Sequence, residues 1–192
     1  MERIRSFIAI ELPGDLKLAL ARIQERLKSG SQTPVKWVDP YSIHLTLKFL
    51  GDIGTDMVGK ITTAMEAAVH GMSPFQLEAK GLGAFASLKR VQVVWVGVSG
   101  EVYRLSRLQQ RIESCLTPLG FVTESRPFKP HLTLARLRDR AKPDERQDLG
   151  QLIAGISFET AYIIDVAALH LMKSQLTRDG AVYSRISSVG LK

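Results

Sequence analysis

Apolar and polar positions along the chain follow two periods, and the order in which one gives way to the other repeats. Phe7 to Glu11 (FIAIE) predicts a short buried strand, closed by Pro13-Gly14. Leu16, Leu20, Ile23 and Leu27 then fall on one helical face, with Asp15 suited to the helix start. Val35 to Val38 predicts a second strand, Asp39-Pro40 a turn, and a further strand carries SIHLTLKFLG. The order begins again at Val91. VQVVWVGV predicts a strand, and Val102, Leu105, Leu108, Ile112 and Cys115/Leu116 line one face of a helix. Phe121 to Thr123 predicts a short strand, Pro127 and Pro130 a turn region, and a strand carries HLTLARLR.

The spacing of the two halves agrees. Asp15 and Glu101, at the two helix starts, lie 86 residues apart, and His44 and His131 lie 87 apart. Helical patterns follow each motif at Asp56–Val69 and Pro143–Ile153, and each leads to a strand opening on phenylalanine, Phe75 and Phe158. Recurrence of element order at a fixed period indicates an internal duplication, hence two similar lobes about a pseudo-twofold axis. Lys80 to Arg90, with Gly81 and Gly83, is expected to be a loop. Beyond the repeat, residues 168–191 predict two strands joined at Arg178-Asp179-Gly180. The expected fold class is α+β: a bilobal duplication with two antiparallel sheets flanking a central cleft and helices packed outside, interleaved within one domain of residues 1–192.

The motif shared by the halves is His-Leu-Thr-Leu: His44, Leu45, Thr46, Leu47 and His131, Leu132, Thr133, Leu134. Alternate strand side chains point to opposite faces, so the leucines anchor each strand while imidazole and hydroxyl share the other face, roughly 6 to 7 Å apart. A pseudo-twofold axis can bring the polar faces together, so that two imidazoles and two hydroxyls converge. That set suits displacement at a phosphate, which needs a base, an acid on the opposite side, and donors for the non-bridging oxygens. Histidine, with an ordinary pKa of roughly 6.5, can serve as either at neutral pH, and threonine hydroxyls donate without adding charge. Strict alternation would also aim Lys48 at the cleft, whereas its counterpart Ala135 is inert; the same rule turns Arg136 away unless the strand bulges.

Other chemistries fit less well. Two histidines are too few for a closed zinc site without His70, His170 or a distant acid, and both of those histidines have structural places, one at a helix end and one in a strand. No G-x-S-x-G is present, and the single cysteine, Cys115, sits on an apolar helical face with no thiol to pair with. That cysteine usage fits a reducing cytoplasm. The net charge of +7 favours an anionic partner, and between Arg126 and Lys142 six basic residues face one acid, Asp139. No stretch approaches the roughly 18 apolar residues of a membrane span.

The sequence resembles the 2H phosphoesterases, named for paired His-x-Thr/Ser-x motifs, and within them the RNA 2′,3′-cyclic phosphodiesterases, also called 2′,5′ RNA ligases. The likeness lies in RSFIAIELP, VKWVDPYSIHLTLKFLGDI, GLGAFASLKRVQVVWVGV and RPFKPHLTLARLR. It implies hydrolysis of a terminal 2′,3′-cyclic phosphate on RNA to a 2′-phosphate, with a reverse 2′,5′ joining activity. It further implies His44 as proton donor, His131 as proton acceptor, and Thr46 and Thr133 as phosphate ligands, with no metal or other cofactor. Arg136 matches an arginine of the family's second motif and, with Lys48, is a candidate substrate contact. The implied partner is RNA ending in the cyclic phosphate, tRNA-derived ends included, bound by a monomer with no membrane partner. The same four residues would equally serve small cyclic nucleotides or 2′,5′ oligonucleotides. A non-catalytic RNA-binding or nucleotide-binding module would be expected to have lost one of them.

Overall fold

A computed structural model describes residues 2–177 and 181–192; the turn expected at Arg178-Asp179-Gly180 lies outside them. The chain runs β1 (Arg3–Ile10), α1 (Gly14–Gly30), β2 (Val35–Trp37), β3 (Leu45–Gly54), α2 (Val58–Val69), β4 (Phe75–Phe85), β5 (Val93–Gly100), α3 (Val102–Leu116), β6 (His131–Leu137), α4 (Pro143–Gly155), β7 (Tyr162–Val166), β8 (Ala168–Leu176) and β9 (Ala181–Gly190). Two antiparallel sheets result, one in the order β3-β1-β8-β9 and the other β2-β6-β5-β4-β7. The fold is α+β, and the two motif strands stand in different sheets.

The repeat is visible in strand pairing. In one sheet β1 lies between β3 and β8; in the other β5 lies between β6 and β4. The helices exchange places: α3, from the second half, packs on α2 and β3, while α1, from the first half, packs near β7 and α4. Leu16, Leu20, Ile23 and Leu27 of α1 are buried together, as are Leu105, Leu108, Ile112 and Leu116 of α3. These stripes join the motif leucines, Leu45, Leu47, Leu132 and Leu134, in one apolar cluster that runs through both halves. Among the described residues no helix is long and apolar enough to cross a membrane.

Three expectations are corrected. Phe121–Thr123 forms no strand; the segment is an extended loop with Val122 86% exposed, and the Val122 carbonyl that a strand would pair instead accepts a hydrogen bond from the Lys48 ammonium. Phe158 is buried but precedes β7, and by pairing the counterpart of β4 is β8, beside β1. Lys80 to Phe85 belongs to β4 instead of to a loop. The register shifts between Ala79 and Leu82, where Gly81 takes φ 78°, a left-handed value suited to glycine, so the strand bulges and continues. Gly83 is then required because the Trp95 ring lies across it: a Cβ there would come within 2.3 Å of the indole.

Because Leu132 is fully buried while Val122 is exposed, Leu132→Ala is expected to cost about 2–5 kcal/mol of stability. Val122→Ala should stay within about 0.5 kcal/mol. Urea denaturation of both variants checks the contrast.

Candidate active site

Each motif histidine stands at the entry to its strand, and each is held in the same way. His44 Nδ1 lies 2.8 Å from the Ser42 carbonyl oxygen, and His131 Nδ1 lies 2.7 Å from that of Lys129. A carbonyl can only accept, so Nδ1 carries the proton in both rings, and Nε2 is the atom left to gain or lose one. Thr46 and Thr133 follow on the same face as their histidines, half-buried, while Leu45, Leu47, Leu132 and Leu134 point into the core.

Beyond the threonines both strands depart from alternation at the same place. Ala9 pairs with Thr46 and Ile8 with Lys48, so Leu47 is an extra residue; Trp95 pairs with Thr133 and Val94 with Ala135, so Leu134 is one too. A bulge keeps two successive side chains on the core side and returns the next to the opposite face. Lys48 is therefore turned inward and does not reach the cleft, contrary to expectation. It is 8% exposed, with its ammonium 2.7 Å from Glu113 Oε2 on α3 and 2.6 Å from the Val122 carbonyl. In the second strand the bulge buries Ala135 and leaves Arg136 exposed on the face of His131 and Thr133. The corresponding position in the first strand is Phe49, also exposed.

The bulges are secured from the other half of the chain. Gln24 on α1 donates through Nε2 to the carbonyls of Val38, at 2.7 Å, and Leu134, at 2.9 Å. Gln109 and Lys48 both hydrogen-bond Glu113 on α3. These clamps were not foreseen, although Gln24, Gln109 and Glu113 are polar residues set within apolar helix faces, which is the signal that could have found them.

The walls differ. His44 stacks on Phe7 with ring centroids 4.5 Å apart and meets Tyr183 edge-on at 4.9 Å; Phe7, Ala9 and Met172 form a small apolar cluster of their own, with Tyr183 packed against it. Burial lowers the pKa of His44 below its ordinary value, against the opposing pull of the Ser42 carbonyl; Lys17 lowers it further and Glu11 counteracts this. The imidazole is thus neutral at pH 7 in the free protein. By linkage, the unfolded chain binds the proton more readily, so His44 lowers stability as pH falls through about 6.5 and does not above it. Glu11, although burial is its largest single influence and raises its pKa, is held below the usual carboxylate range by Arg185, His170 and Lys17. Burial raises the Tyr183 phenol, opposed by the charges of Arg136 and Arg5. Arg136 stands on β6 in one sheet and Tyr183, the ring that meets His44 edge-on, on β9 in the other, so the guanidinium's charge is felt across the two sheets. His131 meets Phe85 edge-on at 5.0 Å.

The other histidines fall where expected: His70 caps α2, exposed, and His170 is buried in β8 with Nδ1 2.7 Å from Ser188 Oγ. Cys115 is half-buried. Among the described residues no group of three or more His, Cys, Asp or Glu side chains gathers as a metal site would require. The six basic residues from Arg126 to Lys142 are all exposed, and Arg126 is paired with Glu124.

Comparison with known proteins agrees with this geometry. The family model of LigT-like phosphoesterases matches the chain twice, over residues 10–95 and 96–183, once in each half. A protein of Methanothermobacter thermautotrophicus named RNA 2′,3′-cyclic phosphodiesterase is 32% identical over 182 residues, covering 95% of this chain and 96% of its own. One of the same name from Aeropyrum pernix is 32% identical, covering 88% and 93%. Among solved structures, TT0787 of Thermus thermophilus superposes with a TM-score of 0.76 at 24% identity, covering 98% of each chain. E. coli LigT complexed with 3′-AMP gives 0.74 at 24% identity, covering 99% of each. At that identity these structures establish the likeness of fold.

Removing one partner of the buried Lys48–Glu113 pair leaves the other charge uncompensated. Lys48→Met is expected to cost about 3–5 kcal/mol. The double variant Lys48→Met/Glu113→Leu should recover most of that loss in urea denaturation; an equal loss in both would contradict the clamp.

Proposed function

The chain belongs to the LigT-like phosphoesterases, and we propose that it acts as an RNA 2′,3′-cyclic phosphodiesterase by acid-base catalysis between its two motif histidines. The observation carrying this reading is the matched pair of imidazoles, each with Nδ1 tied to the carbonyl two residues back and with Nε2 as the nitrogen that can exchange a proton. The names of the relatives at 32% identity supply the substrate class.

In this reading His131 Nε2 takes a proton from water as the water oxygen bonds to phosphorus. The bond from phosphorus to the 3′ oxygen breaks, and His44 Nε2 gives that oxygen its proton. The products are a 2′-phosphate and a free 3′-hydroxyl. The donor role needs a protonated His44, which burial disfavours in the free protein. An anionic phosphodiester in the cleft favours the imidazolium, because a nearby opposite charge raises an imidazole pKa. Thr46 and Thr133 donate to the non-bridging oxygens, and Arg136, brought to their face by the bulge, adds a positive charge where negative charge develops. Lys48 has no part in substrate contact. A 5′-hydroxyl in place of water would give 2′,5′ joining by the same proton transfers. The reading takes residues 1–192 as one monomeric unit, working in the cytoplasm on RNA ends, tRNA-derived ends among them, without a metal.

The test incubates an oligonucleotide ending in a 2′,3′-cyclic phosphate with the protein in EDTA and identifies the product by phosphorus NMR. A 2′-phosphate is expected, with His44→Ala and His131→Ala each slowing the reaction by about 10² or more. Undiminished turnover in both variants, or none in the wild type, would sink the proposal. Arg136→Ala is expected to reduce kcat/KM by about tenfold or more, as loss of one charge-assisted contact would. Lys48→Arg, which keeps the buried charge, should leave kcat/KM nearly unchanged.

A further inference from the structure

The strand that edges the second sheet beside its motif has no counterpart in the first. There β3 stands outermost, whereas β6 is flanked on its outer side by β2. In β2, Val35 and Trp37 pack against the core, and Lys28 of α1 lies over the Trp37 ring at 5.6 Å. Alternation turns Lys36 to the opposite face, where it is exposed. That is the face of His131, Thr133 and Arg136, because Lys36 pairs directly with Arg136 across the strands. Two residues so placed have Cβ atoms roughly 4.5–5.5 Å apart, and like charges directly opposite destabilise a sheet. No acid offsets them: among the described residues neither forms a salt bridge. Asp39, on the same segment as Lys36, accepts instead from the Tyr41 N–H at 3.2 Å and the Ser42 hydroxyl at 3.1 Å, and Asp139 lies beyond the end of β6. A lysine that only protected the sheet edge would serve as well opposite an uncharged residue.

We propose that Lys36 and Arg136 together hold the phosphate on the 5′ side of the terminal nucleotide, so that the RNA chain leaves the cleft over β2. The inference rests on the phosphodiesterase reading, which sets the cyclic phosphate beside His131 and Thr133. An anion between the two cations turns their mutual repulsion into attraction on both sides. Arg136 stands between the threonine and Lys36, and the five N–H donors of its guanidinium allow it to meet the reacting phosphate and its neighbour together. Lysine, a compact charge on a flexible stem, follows a backbone phosphate without demanding one geometry, and such a contact carries no base preference. A free cyclic nucleotide lacks this phosphate, so the pair distinguishes the end of an RNA chain from a mononucleotide.

The test compares adenosine 2′,3′-cyclic phosphate with the same compound carrying a 5′-phosphate, and with the dinucleotide UpA ending in the 2′,3′-cyclic phosphate. In the wild type both phosphate-bearing substrates are expected to show the higher kcat/KM. In Lys36→Met that advantage is expected to fall about tenfold, the order of one hydrogen bond to a charged group; in Lys36→Arg, which keeps the charge, it should persist. An advantage unchanged in Lys36→Met, or lost equally in Lys36→Arg, overturns the site. A gain shown by the dinucleotide alone places the contact on the added nucleoside and overturns it too. Fluorescence anisotropy of a labelled oligonucleotide ending in a 2′-phosphate separates these outcomes from failure of the phosphodiesterase reading. The slope of log K against log salt is expected to be shallower by about 0.7 in Lys36→Met than in the wild type, as loss of one phosphate contact to a single strand requires. If the wild type turns over none of the substrates, the shallower slope upholds the phosphate site and rejects the chemistry, and an equal slope rejects both.

Discussion

The second leucine of each motif is one residue more than the neighbouring strand can pair, and the composition of the cleft depends on that extra residue. Without it, Lys48 and Ala135 would follow the threonines onto the polar face, and Arg136 and Phe49 would be turned toward the helices. With it, a cation in one strand is buried and a cation in the other is exposed beside its histidine. A bulge disrupts ladder hydrogen bonds and needs compensation nearby. Here the compensation comes from the opposite half: Gln24 of α1 donates to the Leu134 carbonyl, and Glu113 of α3 receives the ammonium of Lys48. The exchange of helices between halves therefore links the shape of each motif strand to the integrity of the other half.

The same device explains how a duplicated site becomes asymmetric. Both imidazoles are oriented by a carbonyl two residues earlier, which gives them the same tautomer and leaves Nε2 as the nitrogen that exchanges a proton. Their surroundings then diverge. His44 stacks on Phe7 and is desolvated enough to stay neutral at pH 7, with Glu11 and Lys17 acting on it in opposite senses. His131 shares its strand face with a guanidinium and borders a cavity walled by aromatic rings. Two groups of one chemical type thus stand in unlike surroundings, which the proposed division into acid and base would use.

Much of this was legible in the sequence, because the signals were local. Helical stripes such as Leu16–Leu20–Ile23–Leu27 and the alternation within His-Leu-Thr-Leu report burial directly, and the offset of the motifs reports the duplication. What was not legible depends on tertiary pairing. Alternation misplaced Lys48 because a bulge is set by the register with β1, which a single strand's sequence does not contain. Arg136 was open for the same reason, and its exposure decides the matter in favour of the bulge. Phe121–Thr123 has strand-like residues, but its Val122 carbonyl goes to Lys48, so no ladder forms there. Glycines at 81 and 83 read as a loop, yet one supplies a left-handed bulge residue and the other makes room for Trp95. The roles of Phe7, Tyr183 and Phe85 around the histidines rest on strand order in two sheets, which no spacing within the chain reveals.

Two imidazoles in unlike environments, exchanging protons with one phosphate, form the core of the proposed mechanism, and the pH dependence of kcat/KM probes them without perturbing the chain. A bell-shaped profile is expected, with one limb assignable to His44 and displaced below about 6.5 because burial disfavours its charged form. A profile flat from about pH 5 to 9, across the range in which histidines titrate, would contradict it.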